Sequence, residues 1–148
     1  MRSILVVDDQ PAVRRLLRAL LEMAGFEVTE AEDGAWALEA VRTQQPDLVV
    51  LDIMMPRVDG WKVLTEIRED PDLTELPVIV LTAKGQPRDR LRGWEVGCDA
   101  YIPKPFDPPE CLDEVHAVLS RTPSERRALR ERQKTVVRSM VAGSRRAG

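Results

Sequence analysis

Pro46-Asp-Leu-Val-Val-Leu-Asp-Ile-Met-Met-Pro56 is the stretch that decides the fold. Its residues 48–51 form a short, continuous apolar run, and the lack of polar alternation indicates a strand that is buried on both faces. Such strands occur in parallel sheets that carry helices on either side. Asp52, which follows the run, would then stand at the carboxyl edge of the sheet, where ligands bind in folds of this kind.

The rest of the chain repeats this pattern. Other apolar runs predict strands at 4–7, 26–29, 78–81 and 100–102. Between them, apolar residues recur at a spacing of three to four, which predicts helices. The first helix lies between Pro11 and Gly25, and the second begins at Gly34. The third covers 60–68, and the fourth covers 88–96 and ends at Gly97. The fifth begins after Asp107, which is its N-cap. Five strands that alternate with five helices indicate an α/β fold with a doubly wound parallel sheet.

Composition favours a single globular domain of ordinary size. The chain has 148 residues, of which 43% are apolar and 32% charged. The apolar run at residues 4–7 is too short for a signal peptide, and no run approaches the roughly 20 residues of a membrane span. Cys98 and Cys111 form no CxxC pair, so we expect buried, unreactive thiols. We therefore expect a cytoplasmic protein without membrane contact.

Charge is divided unevenly along the chain. Residues 1–120 hold 13 Lys/Arg and 23 Asp/Glu, a balance of −10. Residues 121–148 hold 9 Lys/Arg and 2 Asp/Glu, a balance of +7. This shift predicts an acidic domain over 1–120 and a separate basic tail over 121–148.

Polar and charged side chains stand at the carboxyl ends of the predicted strands. Asp8 and Asp9 come after the first strand, Asp52 after the third, Thr82 after the fourth and Lys104 after the fifth. Three converging carboxylates repel one another unless a cation lies among them, and hard oxygen ligands point to Mg²⁺. A carboxylate, a divalent ion, an ammonium and a hydroxyl together suit phosphoryl transfer, with an aspartate as the covalent acceptor.

Taken singly, each of these residues has a plainer interpretation. An Asp after a strand is usually a cap or turn residue, and a lone lysine is usually solvated. Their joint placement at one edge of the sheet favours a site. A pocket that hydrolyses small phosphate esters is an alternative, although no general base or second nucleophile is evident. His116 has the character of an ordinary surface or packing residue.

Several stretches match a known family in order and in spacing. They are Ile4-Leu-Val-Val-Asp-Asp9, Pro46-Asp-Leu-Val-Val-Leu-Asp-Ile-Met-Met-Pro56, Asp59-Gly60, Pro77-Val-Ile-Val-Leu-Thr-Ala83 and Tyr101-Ile-Pro-Lys-Pro-Phe106. With these stretches the chain resembles, over about residues 1–120, the receiver domain of two-component response regulators. The resemblance implies a flavodoxin-like sheet of strand order 2-1-3-4-5, with the tail as an extra C-terminal helix.

The resemblance also implies the chemistry of the site. Asp52 would take a phosphoryl group from the phosphohistidine of a sensor histidine kinase or a phosphotransfer protein. Mg²⁺ would be bound directly by Asp9 and Asp52, mostly through water by Asp8, and by the backbone carbonyl of Met54. Lys104 would contact the phosphoryl oxygens. The protein would be a signalling domain rather than an enzyme, limited to self-phosphorylation and self-dephosphorylation.

A switch is implied as well. Thr82 would move to bond the phosphoryl group, and Tyr101 would swing inward behind it. The surface that changes would comprise the fourth helix, the fifth strand and the fifth helix, and would serve an output protein that the sequence does not identify. Trp94 shares a helical stripe with Leu91, which favours the core over that surface. The Lys104–Pro105 peptide would be cis.

The tail has its own helix signal. Thr122-Pro123-Ser124-Glu125 is a capping box, which predicts a sixth helix over 126–142 that ends at Gly143. Its partial apolar stripe comprises Leu129, Val136, Val137, Met140 and Val141, of which we expect Leu129, Val136 and Met140 to dock.

Three interpretations of the tail stay open. It is a solvated helix, or it packs on a second copy or on the acidic domain, or it contacts nucleic acid or an anionic membrane. About 28 residues are too few for a winged helix or a helix-turn-helix domain. We therefore expect no DNA-binding output domain and no specific nucleic acid partner, while a homodimer is possible. A direct transcription regulator that uses the basic tail on DNA is the main rival.

Overall fold

The computed structural model describes residues 1–57 and 59–147, with side chains described as far as residue 143. Along the chain the elements are β1 (Ser3–Val7), α1 (Pro11–Met23), β2 (Glu27–Ala31), α2 (Gly34–Gln44), β3 (Leu48–Leu51), α3 (Gly60–Glu69), β4 (Val78–Thr82), α4 (Pro87–Val96), β5 (Ala100–Pro103), α5 (Pro108–Ser120) and α6 (Pro123–Ala147). No helix among the described residues has the length and apolar character needed to cross a bilayer.

The strands of the described chain form one sheet, which is parallel throughout. Their order is β2-β1-β3-β4-β5. Val7 at the end of β1 lies opposite Leu51 at the end of β3, so the residues that follow both strands emerge side by side. The predicted doubly wound α/β fold and its strand order are therefore confirmed.

Helices cover both faces of the sheet. Leu5 and Val7 of β1 belong to a core cluster with residues of α2, α3 and α4. Ile4 and Val6 belong to a second cluster with residues of α1 and α5. Because successive strand residues point to opposite faces, burial on both faces produces the continuous apolar runs seen in the sequence. The run that predicted β3 has the same bounds as the observed strand.

The prediction for β2 was displaced by one to two residues. The strand runs over Glu27–Ala31 rather than 26–29. Phe26 instead belongs to the turn after α1, where its N–H donates to the carbonyl of Leu21 at 3.1 Å. Its ring packs 5.6 Å from the ring of His116, which confirms a packing role for that histidine. An aromatic residue buried at a turn is as apolar as a strand residue, so the pattern alone did not separate the two.

Polar side chains fix the starts of several helices. Asp33 and Asp59 accept hydrogen bonds from the N–H groups of Trp36 and Lys62, at 3.0 and 2.9 Å, and so cap α2 and α3. Asp107 occupies the predicted N-cap position of α5 but makes no capping bond with its side chain.

The capping box of the tail is formed as predicted. The Glu125 N–H donates to the Thr122 hydroxyl at 3.2 Å, and the Thr122 N–H donates to the Glu125 carboxylate at 2.9 Å. The predicted end at Gly143 was wrong, because α6 continues to Ala147. A glycine ends a helix only where the backbone turns into the left-handed region, and Gly143 keeps helical backbone.

Within α6, the side that docks differs from the predicted one. The helix packs on α4, and Val137 is 1% exposed within the cluster that α2, α3 and α4 form on the sheet. Of the three residues that we expected to dock, Val136 and Met140 are 55% and 43% exposed, whereas Leu129 is partly buried. Of the interpretations of the tail, the structure therefore shows the one in which the helix packs on its own acidic domain.

Candidate functional site

Three carboxylates meet at the carboxyl edge of the sheet. Asp8 and Asp9 follow β1, and Asp52 follows β3, its neighbour in the sheet. Each offers one oxygen, and these oxygens lie within 4.8 Å of one another. Asp8 and Asp52 are buried, whereas Asp9 is exposed, so the cluster opens to solvent on one side. The sequence-based grouping of these residues therefore corresponds to one physical site.

Lys104 joins the two buried carboxylates. Its ammonium Nζ donates to Oδ2 of Asp8 at 2.7 Å and to Oδ2 of Asp52 at 2.9 Å. The other oxygen of each carboxylate accepts a backbone N–H two residues ahead, that of Gln10 for Asp8 and that of Met54 for Asp52, both at 2.9 Å. Both carboxylates are thus held in fixed orientations by one amide and one shared cation.

Burial and charge act in opposite directions on these groups. Burial raises the pKa of Asp8 above its ordinary value, the bonds from Lys104 and Gln10 offset only part of the rise, and the charge of Asp52 adds to it. For Lys104, burial lowers the pKa, but the hydrogen bonds to Asp8 and Asp52 outweigh burial, so its pKa lies above the ordinary value. The lysine is therefore a permanent ammonium at neutral pH.

Lys104 reaches the site from the end of β5. Its backbone N–H donates to the carbonyl of Thr82 at 2.7 Å, which extends the pairing of β4 and β5. The Lys104–Pro105 peptide is cis, as the family resemblance implied. The lysine side chain is 14% exposed, so its charge acts with little screening.

Thr82 and Tyr101 form a second layer beside the cluster. Thr82 is fully buried, and its hydroxyl accepts the N–H of Lys84 at 3.3 Å. Tyr101 is 8% exposed, and its hydroxyl donates to the carbonyl of the same Lys84 at 2.6 Å. Burial, followed by the charge of Asp89, raises the pKa of Tyr101, so the phenol keeps the proton that it donates. The loop after β4 thus connects the predicted switch residues.

Two supports of the site were not predicted from the sequence. The Arg14 guanidinium of α1 donates to the backbone carbonyl of Asp8 at 2.6 Å and pairs with Glu30 of β2 at 3.2 Å. Gly60 begins α3 against the loop after β3, where a Cβ would lie 2.4 Å from Cα of Ile53. The Asp59-Gly60 pair in the sequence could have indicated the close packing at Gly60. Arg14, by contrast, looks in the sequence like an ordinary exposed helix residue.

The tryptophan and methionine side chains of α3, of α4 and of the loop after β3 differ in their exposure. Trp61 is 6% exposed in the core, and the guanidinium of Arg92 lies 4.5 Å from the centre of its ring. Met55 is buried, but Met54 is 47% exposed beside Asp52. Trp94 is 6% exposed, which agrees with its predicted place in the core.

The chain is similar to known signalling proteins. A family model described as the response regulator receiver domain matches residues 4–116. The chain is 44% identical over 122 residues to the DNA-binding dual master transcriptional regulator RpaA of Synechocystis, which covers 82% of this chain and 51% of that protein. It is 45% identical over 120 residues to the response regulator Rre1 of the same organism, with 80% and 52% covered. The chain thus spans about half the length of the curated relatives it matches.

Solved structures give the same result. The chemotaxis response regulator CheY4 of Vibrio cholerae is 30% identical, with a TM-score of 0.75 over 80% of this chain and 98% of that one. The receiver domain of the Francisella response regulator 1452 is 31% identical, with a TM-score of 0.75 over 80% and 97%. The family match ends within α5, so α6 lies outside it.

Proposed function

This chain belongs to the response regulator receiver domain family, and we propose that Asp52 is its phosphoryl acceptor in two-component signalling. A carboxylate oxygen of Asp52 attacks the phosphorus of a phosphohistidine on a sensor histidine kinase or phosphotransfer protein. The new P–O bond forms as the P–N bond breaks, and the electron pair of the P–N bond returns to the imidazole nitrogen. The phosphohistidine carries a proton on its other ring nitrogen, so the products are an aspartyl phosphate and a neutral histidine.

The observation that carries this proposal is the bridge from Lys104 to Asp8 and Asp52, at 2.7 and 2.9 Å. An ammonium fixed beside the acceptor provides a positive charge where the phosphoryl oxygens gather. A structural salt bridge needs one carboxylate, whereas this lysine holds two of a cluster of three. The excess of negative charge leaves room for a further cation.

The residues fit Mg²⁺ as that cation. The donors are hard carboxylate oxygens within 4.8 Å of one another, and exposed Asp9 leaves access for water, which Mg²⁺ retains in proteins. We propose that Asp9 and Asp52 bind the ion directly, that Asp8 binds it through water, and that the backbone carbonyl of Met54 supplies a further oxygen. When bound, the ion neutralises charge on the transferring phosphoryl group.

We further propose that Thr82 and Tyr101 report the state of Asp52. The hydroxyl of Thr82 is a hydrogen-bond donor in the same region, and new phosphoryl oxygens are strong acceptors. Both residues bond to Lys84, so a displacement of the loop after β4 changes the contacts of Tyr101 as well. The reaction is the protein's own phosphorylation and dephosphorylation, and its purpose is to switch a protein-interaction surface.

The test is phosphoryl labelling with acetyl phosphate or a kinase donor in the presence of Mg²⁺. Labelling at Asp52 is expected by mass spectrometry, and Asp52→Asn should abolish it because an amide does not accept the group. Asp59→Asn is the matched control, since an asparagine also caps α3 and leaves the site intact. Chelation of Mg²⁺ should stop labelling of the unchanged chain. Full labelling of Asp52→Asn would exclude the assignment.

Two features support a protein partner over nucleic acid. The described tail lies on its own domain, and five of its basic residues lie within 4 Å of a carboxylate, namely Arg126, Arg127, Arg130, Lys134 and Arg138. Side chains that are paired within the chain contribute less to attraction for phosphates. We propose an unidentified output protein, with a homodimer as a further possibility, and a cytoplasmic location that suits the buried thiols of Cys98 and Cys111.

A hydrolase remains the enzymatic alternative. It requires a base that activates water at the phosphoryl group, and the ring of His116, on α5, lies instead against Phe26 of the turn after α1. Steady multiple turnover of a small phosphate ester, with release of free phosphate, would support the hydrolase. A single stoichiometric label per chain would support the signalling domain.

A further inference from the structure

Helix α6 lies on α4 and contributes to the core. Val137 is 1% exposed and shares a buried cluster with Trp94 and Tyr101, while Val141 and Leu91 pack at its edge. Arg130 and Lys134 of α6 line one surface cleft together with Trp94. The helix therefore covers the side of α4 that presents Trp94.

The first turns of α6 are anchored to a buried carboxylate, Asp99, which lies before β5. Arg68 of α3 donates to Oδ2 of Asp99 at 2.9 Å, and the Nε atoms of Arg126 and Arg130 lie 3.6 Å from Oδ1. The N–H of Val78 also donates to Oδ2, at 2.9 Å. All three guanidinium groups are largely buried, so one negative charge is shared by three cations.

The same arginines bind backbone carbonyls that belong to several elements. Arg126 donates to the carbonyls of Arg121 and Glu75, at 3.0 and 2.7 Å. Arg130 donates to the carbonyl of Gly97, at 3.3 Å, where α4 ends. The bond to Gly97 places a cation at the negative end of the α4 dipole, and the bond to Arg121 satisfies the carbonyl that follows α5. The first half of α6 is thus attached to the loop before β4, to α4 and to the start of β5.

The second half of α6 has weaker attachments. Among the side chains described beyond Lys134, up to residue 143, those that contact the domain include the buried Val137, the partly buried Val141 and Arg138, which pairs with Glu95 at 3.9 Å. The partners in this pair are both about half exposed, so the ion pair contributes little. This half therefore rests on α4 and on the core cluster that Val137 shares with Trp94 and Tyr101.

The position of α4 is linked to the phosphoryl site. A Cβ on Gly93 would lie 2.6 Å from Cδ2 of Tyr101, so the α4 backbone rests directly on the tyrosine ring. The hydroxyl of Tyr101 bonds to Lys84, and the N–H of Lys84 bonds to Thr82. A continuous series of contacts therefore connects Thr82, at the end of β4, with α4, the helix that α6 covers.

We propose that α6 is a reversible lid on α4, hinged at its Asp99 anchor, and that phosphorylation of Asp52 loosens the half beyond Lys134. This proposal rests on the function proposed above. Because the first half is also fixed to Asp99 and Glu75, whereas the second half has no such anchor among the described side chains, a displacement of α4 should break the contacts of the second half first. The surface so opened has apolar Leu91 and Trp94 beside the carboxylate of Glu95, which fits a basic amphipathic helix of a partner.

Hydrogen exchange of the full chain tests the lid. The probe is beryllofluoride with Mg²⁺, which stands in for the phosphoryl group, and fluorine NMR measures its binding independently. We expect backbone amides of residues 135–143 to exchange about tenfold faster once beryllofluoride binds, with little change at residues 126–133. If beryllofluoride binds and residues 135–143 do not change, the lid is wrong and the phosphoryl-acceptor function stands. If beryllofluoride does not bind, both proposals fail.

Two neighbouring substitutions give a matched comparison. Val137→Glu places a charge in the contact with α4 without altering α4, and should give fast exchange at residues 135–143 without beryllofluoride. Val136→Glu places the same charge on the exposed side and should leave exchange unchanged. Circular dichroism confirms that both variants fold, and Val137→Ala replaces Val137→Glu if the latter does not. Equal exchange in the two variants would overturn the lid.

Discussion

Replacing Lys104 by Met should affect metal binding and phosphoryl transfer in opposite directions. The ammonium occupies Oδ2 of both Asp8 and Asp52, at 2.7 and 2.9 Å, and so competes with a divalent ion for the same carboxylates. Methionine has a similar length and no charge, so Lys104→Met removes the competitor with little change in volume. The variant should therefore bind Mg²⁺ more tightly and become phosphorylated more slowly.

The size of the first effect follows from the bonds that the metal must displace. A hydrogen bond between two charged groups contributes on the order of 1.5–3 kcal/mol, and displacement of one of the two would weaken metal binding by that amount. Removal of this competing hydrogen bond should lower the Kd of Mg²⁺ roughly ten- to hundredfold. The loss of a positive charge at the transferring oxygens should slow phosphorylation by about a hundredfold or more.

Calorimetric titration with Mg²⁺ gives the Kd, and phosphorylation by acetyl phosphate at saturating Mg²⁺ gives the rate. Lys84→Met is the matched control: Lys84 is exposed, close to the site, and makes no ion pair among the described residues. It should leave the Kd of Mg²⁺ nearly unchanged. Weaker binding of Mg²⁺ by Lys104→Met would refute the competition argument, and an unchanged rate would refute the role of the ammonium in transfer.

Three further predictions concern the fold around the site. Gly60→Ala should destabilise the protein by about 1–3 kcal/mol in urea unfolding, because the new Cβ would clash with Ile53 and the Asp52 carbonyl. Gly143→Ala, which has open space around it, should stabilise α6 by up to about 1 kcal/mol. A change of the same sign in both variants would contradict the packing described. Mg²⁺ or beryllofluoride should change tryptophan fluorescence, and Trp61→Phe should remove most of that change; a signal carried by Trp94 would be contrary evidence. Burial raises the pKa of Cys111 from 9.0 to about 11, so the folded state keeps a proton that the unfolded state loses between these values. The contribution of Cys111 to stability should therefore be constant below about pH 9 and fall by up to about 3 kcal/mol as the pH rises to 11, so that the decline over this range should be smaller in Cys111→Ala than in the unchanged chain.

The sheet and the site could be predicted because their signals are local. β3 is a continuous apolar run that ends at a charged residue, and each site residue follows its strand directly. Parallel strands bring such residues to one edge whatever the details of packing. The grouping of Asp8, Asp52 and Lys104 therefore needed only the strand assignments and the resemblance to the family.

The anchor of α6 could not be predicted because its parts are distant in sequence. Asp99 lies two residues after Gly97, in a stretch that looks in the sequence like an ordinary loop. Its partners Arg126 and Arg130 are in the tail. Because charged side chains are usually exposed, the sequence left a solvated helix open beside one that packs on the acidic domain. Burial beside one carboxylate is a tertiary effect that no local pattern contains.

The side of α6 that docks has a signal that was overlooked. One face of the helix presents two arginines and two valines, because the successive spacings between them are four, seven and four residues. They are Arg126, Arg130, Val137 and Val141. We weighed apolar residues alone, which favoured Leu129, Val136 and Met140. A mixed stripe of arginines and valines matches a surface that is acidic at one end and apolar at the other.

Val137 also matters when this receiver domain is fused to the output domain of another protein. The family boundary lies near the end of α5, yet part of the hydrophobic core is contributed from beyond it. A chimera that joins residues 1–120 to a foreign output module would lack Val137 and would leave Asp99 with one of its three arginines. Such a hybrid should be prone to aggregation, and its self-association would be an artefact of the junction. Grafting experiments should therefore place the junction after residue 143, so that the recipient inherits a closed core.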